Sequence, residues 1–448
     1  MIPPPSVESI RARLEGGAHA QAYADALFLL GRTPETPAAL DAFIQAATCC
    51  ERQDEARDVL RRLRHHINVI GYAVAQTQLS LLAGDSASAR AHAESIAFHP
   101  DAAIAHLGLM IAIAEREDDP QTALRWMRER ERRVANIPFA WVPPRWDVQG
   151  KLGRHDDVIQ EASKLEQSIP GEFAAERRLV RFHRAMAQHN ALRFADSAAA
   201  ALDLADELVK AGPLPAAPRL ARIGTRRRQH IVAAEIEKIA LLSDLPMAAH
   251  AGTLLALIRD GDFFPHDQDF DLAAIPPATS ATVAGALIAT GAFHRRPQML
   301  DTGSFLSLGH NATGLAVDVT EYRREGDFFV STWRHPSGVI LRQAATPAFT
   351  VRMVDLPGVG RRLPLPDAPE DQLRAAYGDW KTPVGDFDTL VEAPNILEFT
   401  DFLRSVAAIR LADSMLSGRS GQVQRTARRL LAANVASELM EKIIDKTV

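Results

Sequence analysis

The chain has only two cysteines in 448 residues, Cys49 and Cys50. Adjacent residues are poorly placed to bridge each other, so a disulfide framework is excluded. A four-cysteine zinc site is excluded with it. Aromatic residues make up only 6% of the chain, whereas alanine is plentiful, which favours packed helices. No apolar run is long enough to span a bilayer. The longest, Ala103 to Ala114, has the length of one buried helix and contains His106. The N-terminus, MIPPPSVESIRARLEGG, lacks the basic-then-apolar order of a signal peptide. A net charge of −5 gives no electrostatic case for nucleic acid or for a membrane surface. These absences predict a cytoplasmic, reduced protein of ordinary composition, 47% hydrophobic and 24% charged. The length suits two or three domains.

What is present first is a repeat. Four segments resemble one another: ERQDEARDVLRRL, AGDSASARAHAESI, EDDPQTALRWMRE and LGRHDDVIQEASKL. Their small or apolar anchors, Ala56, Ala89, Ala123 and Val158, are spaced by 33, 34 and 35 residues. Each segment follows an apolar helix pattern and a short polar turn. Pro100 and Pro170 fall where a second helix should stop. The period and the small-residue placement resemble tetratricopeptide repeats (TPR), which are helix–turn–helix units. Such units bury their apolar faces by stacking, which implies an α-solenoid over residues 1–210 with a concave surface for a protein partner. A fifth helical pair is expected from Arg177 to Lys210. AGPLPAAPRLARIG then breaks the pattern with prolines and glycines, so residues 211–224 read as a linker.

The texture changes after the linker. Helical patterns cover Gln229 to Leu242 and Thr279 to Ala292. Short β-like segments separated by glycine turns dominate from Gln298 to Val354. A helix is expected from Pro369 to Tyr377, and helices return from Ile396. This order predicts an α+β domain with a small mixed sheet over residues 225–400, and a helical extension over 401–448.

The densest chemistry lies in AGTLLALIRDGDFFPHDQDFD, residues 251–271. A small-residue turn, Gly252-Thr253, leads into a short apolar helix ending near Arg259. A strand then carries Asp267, Asp269 and Asp271 at alternate positions, which share one face. Three like charges on one face repel, and a divalent cation removes that repulsion. Hard carboxylate oxygens suit Mg²⁺ or Mn²⁺. An EF-hand reading fails, because position 6 from Asp267 is Leu272 and position 12 is Ala278.

Three ordered blocks make residues 225–400 resemble the LicD/fukutin-related family. They are Gly252-Thr253-Leu254-Leu255 through Arg259 to Phe263-Phe264-Pro265, then His266-Asp267-Gln268-Asp269-Phe270-Asp271, and later Leu363-Pro364-Leu365-Pro366 with Tyr377-Gly378-Asp379-Trp380-Lys381-Thr382-Pro383. Between them, Gly314 to Val319 matches a short strand bearing one more acid, Asp318. His266 stands where a Trp is usual, and Gln268 where many bacterial members have another Asp. The resemblance implies a nucleotidyltransferase-superfamily fold. It implies transfer of a phosphorylated alcohol, such as phosphocholine, ribitol phosphate or glycerol phosphate, from a CDP-linked donor onto a glycan. CMP is then released.

Under that resemblance, Asp269 and Asp271 are the first metal ligands and Asp267 a third ligand or a bridge to a second metal. Asp318 completes the metal site or acts as general base. Gly252 and Thr253 bring backbone N–H groups to phosphate. Arg259 either pairs with a phosphate or caps its own helix. Asp379 and Lys381 shape the donor or acceptor pocket. His266 and His310 read as structural, Trp380 as packing, and Arg226 to His230 as a solvated helix start. Two other readings stay open. One is a degenerate domain serving a TPR scaffold. The other is a nucleotidyltransferase that moves the nucleotide itself.

Overall fold

The computed structural model describes residues 4–15, 18–212, 226–265, 267–385 and 387–447. Residues 213–224 of the expected linker, and His266, lie outside the described residues. The chain is mixed: helices come first, then three small sheets, then helices again. No described helix is long and apolar enough to cross a membrane.

One turn recurs throughout the helical part. The pairs Pro37–Cys49 with Gln53–Leu63, Val69–Leu82 with Ser86–Glu94, Ala103–Arg116 with Pro120–Arg132, Val142–Lys151 with His155–Ser168, and Ala174–Asn190 with Phe194–Ala211 are each joined by a three-residue turn. The middle turn residue is left-handed every time: Glu51, Gly84, Asp118, Gly153 and Leu192. The next N–H bonds back to a carbonyl five residues earlier, as in Arg52 to Ala47, Asp85 to Ser80 and Asp119 to Ala114. This 6→1 bond satisfies a carbonyl that the ending helix leaves orphaned. The repeat anchors sit on the second helices as read: Ala56, Ala89 and Ala123 are fully buried and Val158 nearly so. An additional pair, Val7–Glu15 and His19–Arg32, precedes them.

The terminal helices reuse the same turn. Asp401–Leu416 and Ser420–Ala432 are joined through left-handed Gly418, with Arg419 N–H bonding to Ser414 O. Asp401–Leu416 packs along Phe194–Ala211. The chain therefore leaves the helical array after Ala211, builds its sheets, and returns to the array. A buried hydroxyl relay marks this seam. Ser197 Oγ donates to Ala185 O, Ser405 Oγ donates to Ser197 Oγ, and His189 Nδ1 lies 2.8 Å from Ser405 Oγ.

The strands are β1 (Met247–Ala249), β2 (Asp269–Ala274), β3 (Phe293–Arg295), β4 (Phe305–His310), β5 (Ala316–Glu321), β6 (Arg323–Glu325), β7 (Phe328–Arg334), β8 (Ile340–Pro347), β9 (Val351–Leu356) and β10 (Arg361–Pro366). The main sheet has the order β1-β2-β5-β4-β3. Only β2 and β5 pair in parallel; the rest pair antiparallel. Smaller sheets are β6-β7-β8 and β10-β9. Strand alternation gives the main sheet two unlike faces. Phe270, Leu272, Val317, Val319, Leu306 and Leu308 bury one face in the domain core with helix Arg226–Leu242. The other face carries Asp269, Asp271, Asp318, Phe305 and Ser307.

The helical array docks on this sheet through its turns. Asp118 is almost fully buried and accepts from Arg296 Nε at 3.1 Å, with His294 Nε2 at 2.9 Å. Arg116 Nη2 reaches Asn311 O at 3.3 Å. Gly84 meets the loop after β4 so closely that a Cβ there would fall 1.5 Å from Ala312 O. Glycine is required twice at this position, by contact and by its φ of 77°.

Candidate metal centre

The carboxylates are assembled by strand register. Asp269 pairs with Ala316 and Asp271 with Asp318 across the parallel β2–β5 ladder. Residues opposite each other share a face, so Asp269, Asp271 and Asp318 project together. Each offers an oxygen such that the three atoms lie within 4.8 Å of one another, and all three residues are half-buried. The expected strand is shorter than the sequence pattern implied. It starts at Asp269, so Asp267 lies in the preceding loop rather than on the strand face. Asp267 still joins the group: its carboxylate hydrogen-bonds with that of Asp269.

The Gly-Thr segment is a helix start, not a free turn. Helix Ala251–Arg259 begins at a left-handed Ala251 with φ 41°, a conformation rare for alanine. Gly252 N–H donates to Asp271 Oδ2 at 3.0 Å, and Asp271 N–H donates to Thr253 Oγ1 at 2.8 Å. The amide expected to meet phosphate therefore meets a carboxylate. The positive end of the helix dipole favours the anion placed there. A Cβ on Gly252 would stand 3.3 Å from the Oδ2 atoms of both Asp267 and Asp271, so only glycine leaves both carboxylates in place.

Electrostatics report crowding. Burial, then the Asp269 carboxylate, pushes Asp267 up to about 8. Burial, then Asp269, Asp318 and Asp267, holds Asp271 well above the ordinary carboxylate range. Burial lifts Asp318 to about 6, opposed by a hydrogen bond from Ser307 and by the charge of Arg296. One oxygen of Asp318, Oδ1, is buried with no hydrogen-bond partner. Buried polar atoms normally have partners. An orphaned carboxylate oxygen among mutually repelling carboxylates fits a hard divalent cation, and the all-oxygen donor set suits Mg²⁺ or Mn²⁺ more than a thiolate-seeking metal.

The other expected site residues make local contacts. Arg259 Nε bonds to Asp260 Oδ1 at 2.9 Å, with its guanidinium 4.8 Å from the Phe264 ring. Asp379 accepts from Thr382 Oγ1, and Lys381 Nζ lies 5.2 Å from the Trp380 ring centroid. Both residues are exposed, while Trp380 is buried in the domain core as read. His310 is structural, bonding to Thr313 Oγ1. The basic start of helix Arg226–Leu242 is less solvated than expected. Gln229 is fully buried and reaches Asp269 O, while Arg226 and His230 both face Asp262.

Three neighbours of the centre were not singled out in the sequence. Ser307 stands opposite Asp318 on β4. Its signal was a lone hydroxyl in the alternation Phe305-Leu306-Ser307-Leu308. Burial, then the field of Asp271, Asp267 and Asp269, pushes the Tyr377 phenol up. It sits inside a quoted block and carried no role there. Arg296 lies outside every block, and only the fold brings it near Asp318.

No protein-family model and no curated protein matches this chain.

Proposed function

We propose that the chain is a metal-dependent phosphotransferase that moves a phosphorylated alcohol from a CDP-activated donor to a glycan hydroxyl. In this reading residues 225–400 form a LicD-like nucleotidyltransferase domain, and the helical array is a TPR-like solenoid. The observation that carries the proposal is the Asp269–Asp271–Asp318 cluster with its orphaned Asp318 oxygen. The ordered blocks described above give the chemistry its direction.

Asp269 and Asp271 would hold Mg²⁺ or Mn²⁺, with Asp267 a third ligand or a bridge to a second metal. The ion supplies charge neutralisation for the donor phosphates. Asp318 is the proton acceptor: its Oδ1 has no hydrogen-bond partner and lies on the carboxylate beside Asp269 and Asp271, so it is open to take a proton. The acceptor hydroxyl loses its proton to Asp318, its oxygen forms a bond to the donor's distal phosphorus, and the bond from that phosphorus to the CMP oxygen breaks. Phosphoryl transfer of this kind depends mainly on positioning and on stabilising developing charge.

Thermal stabilisation by CMP, CDP, CDP-choline, CDP-ribitol and CDP-glycerol, each with and without Mn²⁺ or Mg²⁺, tests the reading. A cytidine-selective, metal-dependent shift that disappears in Asp271→Asn supports it. Folded protein that responds to no nucleotide overturns it in favour of a scaffold. Nucleotide left on the acceptor, with no CMP released, overturns it in favour of nucleotide transfer.

A further inference from the structure

A cavity of about 410 Å³ opens between helix Ala174–Asn190, helix Asp401–Leu416 and strand β4. It is bounded by the helical array on one side and the acidic sheet face on the other. Its lining includes Ser307, which stands opposite Asp318 in the register of β4 and β5. We propose that this cavity is a binding site for a neutral sugar ring, seated by the helical array and directed through Ser307 towards the carboxylates.

Size and lining choose the ligand class. Small-molecule sites fall at roughly 300–1,000 Å³ and combine an apolar wall with a few placed polar groups. Here the wall is aromatic, from Phe182, Phe305, Trp333 and Phe402. Phe305 and Trp333 pack with ring centroids 5.0 Å apart, a broad apolar platform for the C–H face of a pyranose.

The polar groups are the His189 imidazole and the uncharged amides and hydroxyls of Asn190, Gln298, Thr302 and Ser307; Gln298 and Thr302 already donate to Phe305 O, which leaves their oxygens to accept from a ligand. These are the types that exchange hydrogen bonds with sugar hydroxyls. The charged lining residues are already neutralised. Arg410 pairs with Asp388 at 3.0 Å, and Asp413 pairs with Arg419. No net charge is left to select an ionic ligand.

The proposal deepens the transfer reading, since it makes this ring the acceptor unit. Its test does not need transfer. Full-length protein freed of metal is examined by saturation-transfer NMR with a panel of neutral methyl pyranosides, and with decanol as the apolar control. The expected result is saturable transfer to the ring protons of at least one glycoside. Met186→Trp, which fills the cavity from its wall, abolishes that transfer. Trp333→Leu removes one side chain of the aromatic platform, weakening it roughly 3- to 10-fold. Asp271→Asn leaves it unchanged, so a failed metal centre and a failed sugar site give different patterns. Unchanged melting of each variant establishes that it is folded. Absence of saturable transfer from every glycoside, transfer that persists in both cavity variants, or binding of decanol alone overturns the proposal.

Discussion

Asp271 and Asp318 stand directly opposite each other in the parallel register of β2 and β5. They are 47 residues apart in sequence, yet the ladder fixes them as neighbours on one face. A one-residue slip would turn either carboxylate to the other side of the sheet. Such a slip would put an acid into the core of Val317, Val319 and Leu272, so core burial itself enforces the register. The two residues separate by role under substitution. Asp271→Asn should weaken Mn²⁺ binding about 10- to 100-fold and abolish turnover, because it removes a ligand oriented by the Gly252 N–H and anchored through its own N–H to Thr253 Oγ1. Asp318→Asn should lower kcat about 10²- to 10⁴-fold, with a smaller effect on metal affinity, as loss of a general base does. Calorimetric metal titration beside steady-state kinetics checks both. Equal loss of metal affinity in the two variants would make Asp318 a ligand rather than a base.

Crowded carboxylates also set a pH dependence for the metal-free protein. Asp267, Asp271 and Asp318 all titrate above their ordinary value of 3.8 in the folded state. The folded chain therefore binds more protons than the unfolded chain as pH rises from 3.8 towards about 8, the value for Asp267. Stability contributed by this group is highest at the acid end of that window and falls as pH rises. Denaturant midpoints measured between pH 5 and pH 8 in chelator should show the fall. Added Mg²⁺ or Mn²⁺ should remove it, and Asp271→Asn should reduce it.

Thr253 and Gly252 give a sharper local test. Thr253→Val is nearly isosteric but removes the acceptor of the Asp271 N–H, leaving a buried donor without its partner. The expected cost is about 1–3 kcal/mol of stability. Gly252→Ala instead sets a methyl against both Oδ2 atoms, which must give by a few tenths of an ångström. Metal affinity should drop in that variant with little change in overall stability. Chemical denaturation and metal titration on the same samples separate the two effects.

How much of this was legible follows from the range of each interaction. The helix pairs were readable because the repeat anchors and the polar turns are local signals, although the left-handed residue is glycine at only two of the five array turns, Gly84 and Gly153. Asp269 and Asp271 were readable because strand alternation sorts side chains by parity, and Asp318 only through the resemblance of Gly314 to Val319 to a family strand. The start of β2 was not. Asp267 continues the alternation in sequence, but the ladder to β5 begins at Asp269. The role of Gly252 was misread for a related reason. A Gly-Thr pair signals a close backbone approach, and sequence does not say whether the approaching group is a phosphate or the chain's own carboxylate. β10 was missed as a strand because Pro364 and Pro366 argue against one, yet it pairs only with β9, at an edge where a missing donor is tolerated. Ser307, Arg296 and the cavity wall belong to contacts between distant segments, which no local pattern encodes.

The seam between the two helical segments predicts acid sensitivity. His189 is buried between Phe194 and Phe402, with ring centroids at 5.2 and 4.9 Å, and burial pushes it down to about 4. The ordinary value is 6.5, so between pH 6.5 and 4 the unfolded chain binds a proton that the folded chain refuses. Stability from this residue is complete above 6.5 and is lost as pH falls through that window, by on the order of 3 kcal/mol. His189→Gln should flatten the acid side of the stability profile while lowering stability at neutral pH. An unchanged acid limb in the variant would assign the sensitivity elsewhere.

Asp118 tests whether the array and the sheet act as one unit. It sits in a helix turn of the array, left-handed at φ 51°, and its carboxylate is 8% exposed between His294 and Arg296. Removing a partner from a fully buried ion pair costs about 3–5 kcal/mol, because the remaining charge is stranded. Here His294 and Arg296 keep 30% and 32% of their side-chain surface in solvent, so water screens part of that loss. Asp118→Ala should therefore cost about 1–3 kcal/mol. The functional effect should be larger than the energetic one. Arg296 N–H bonds to Ser307 O, and Ser307 contacts Asp318, so a displaced Arg296 shifts the proton acceptor itself. Turnover should fall and its acid limb should move upward, since Arg296 helps hold Asp318 down. Metal affinity, set mainly by β2, should change little. A variant with normal pH dependence but reduced stability would show that the docking turn serves the fold alone.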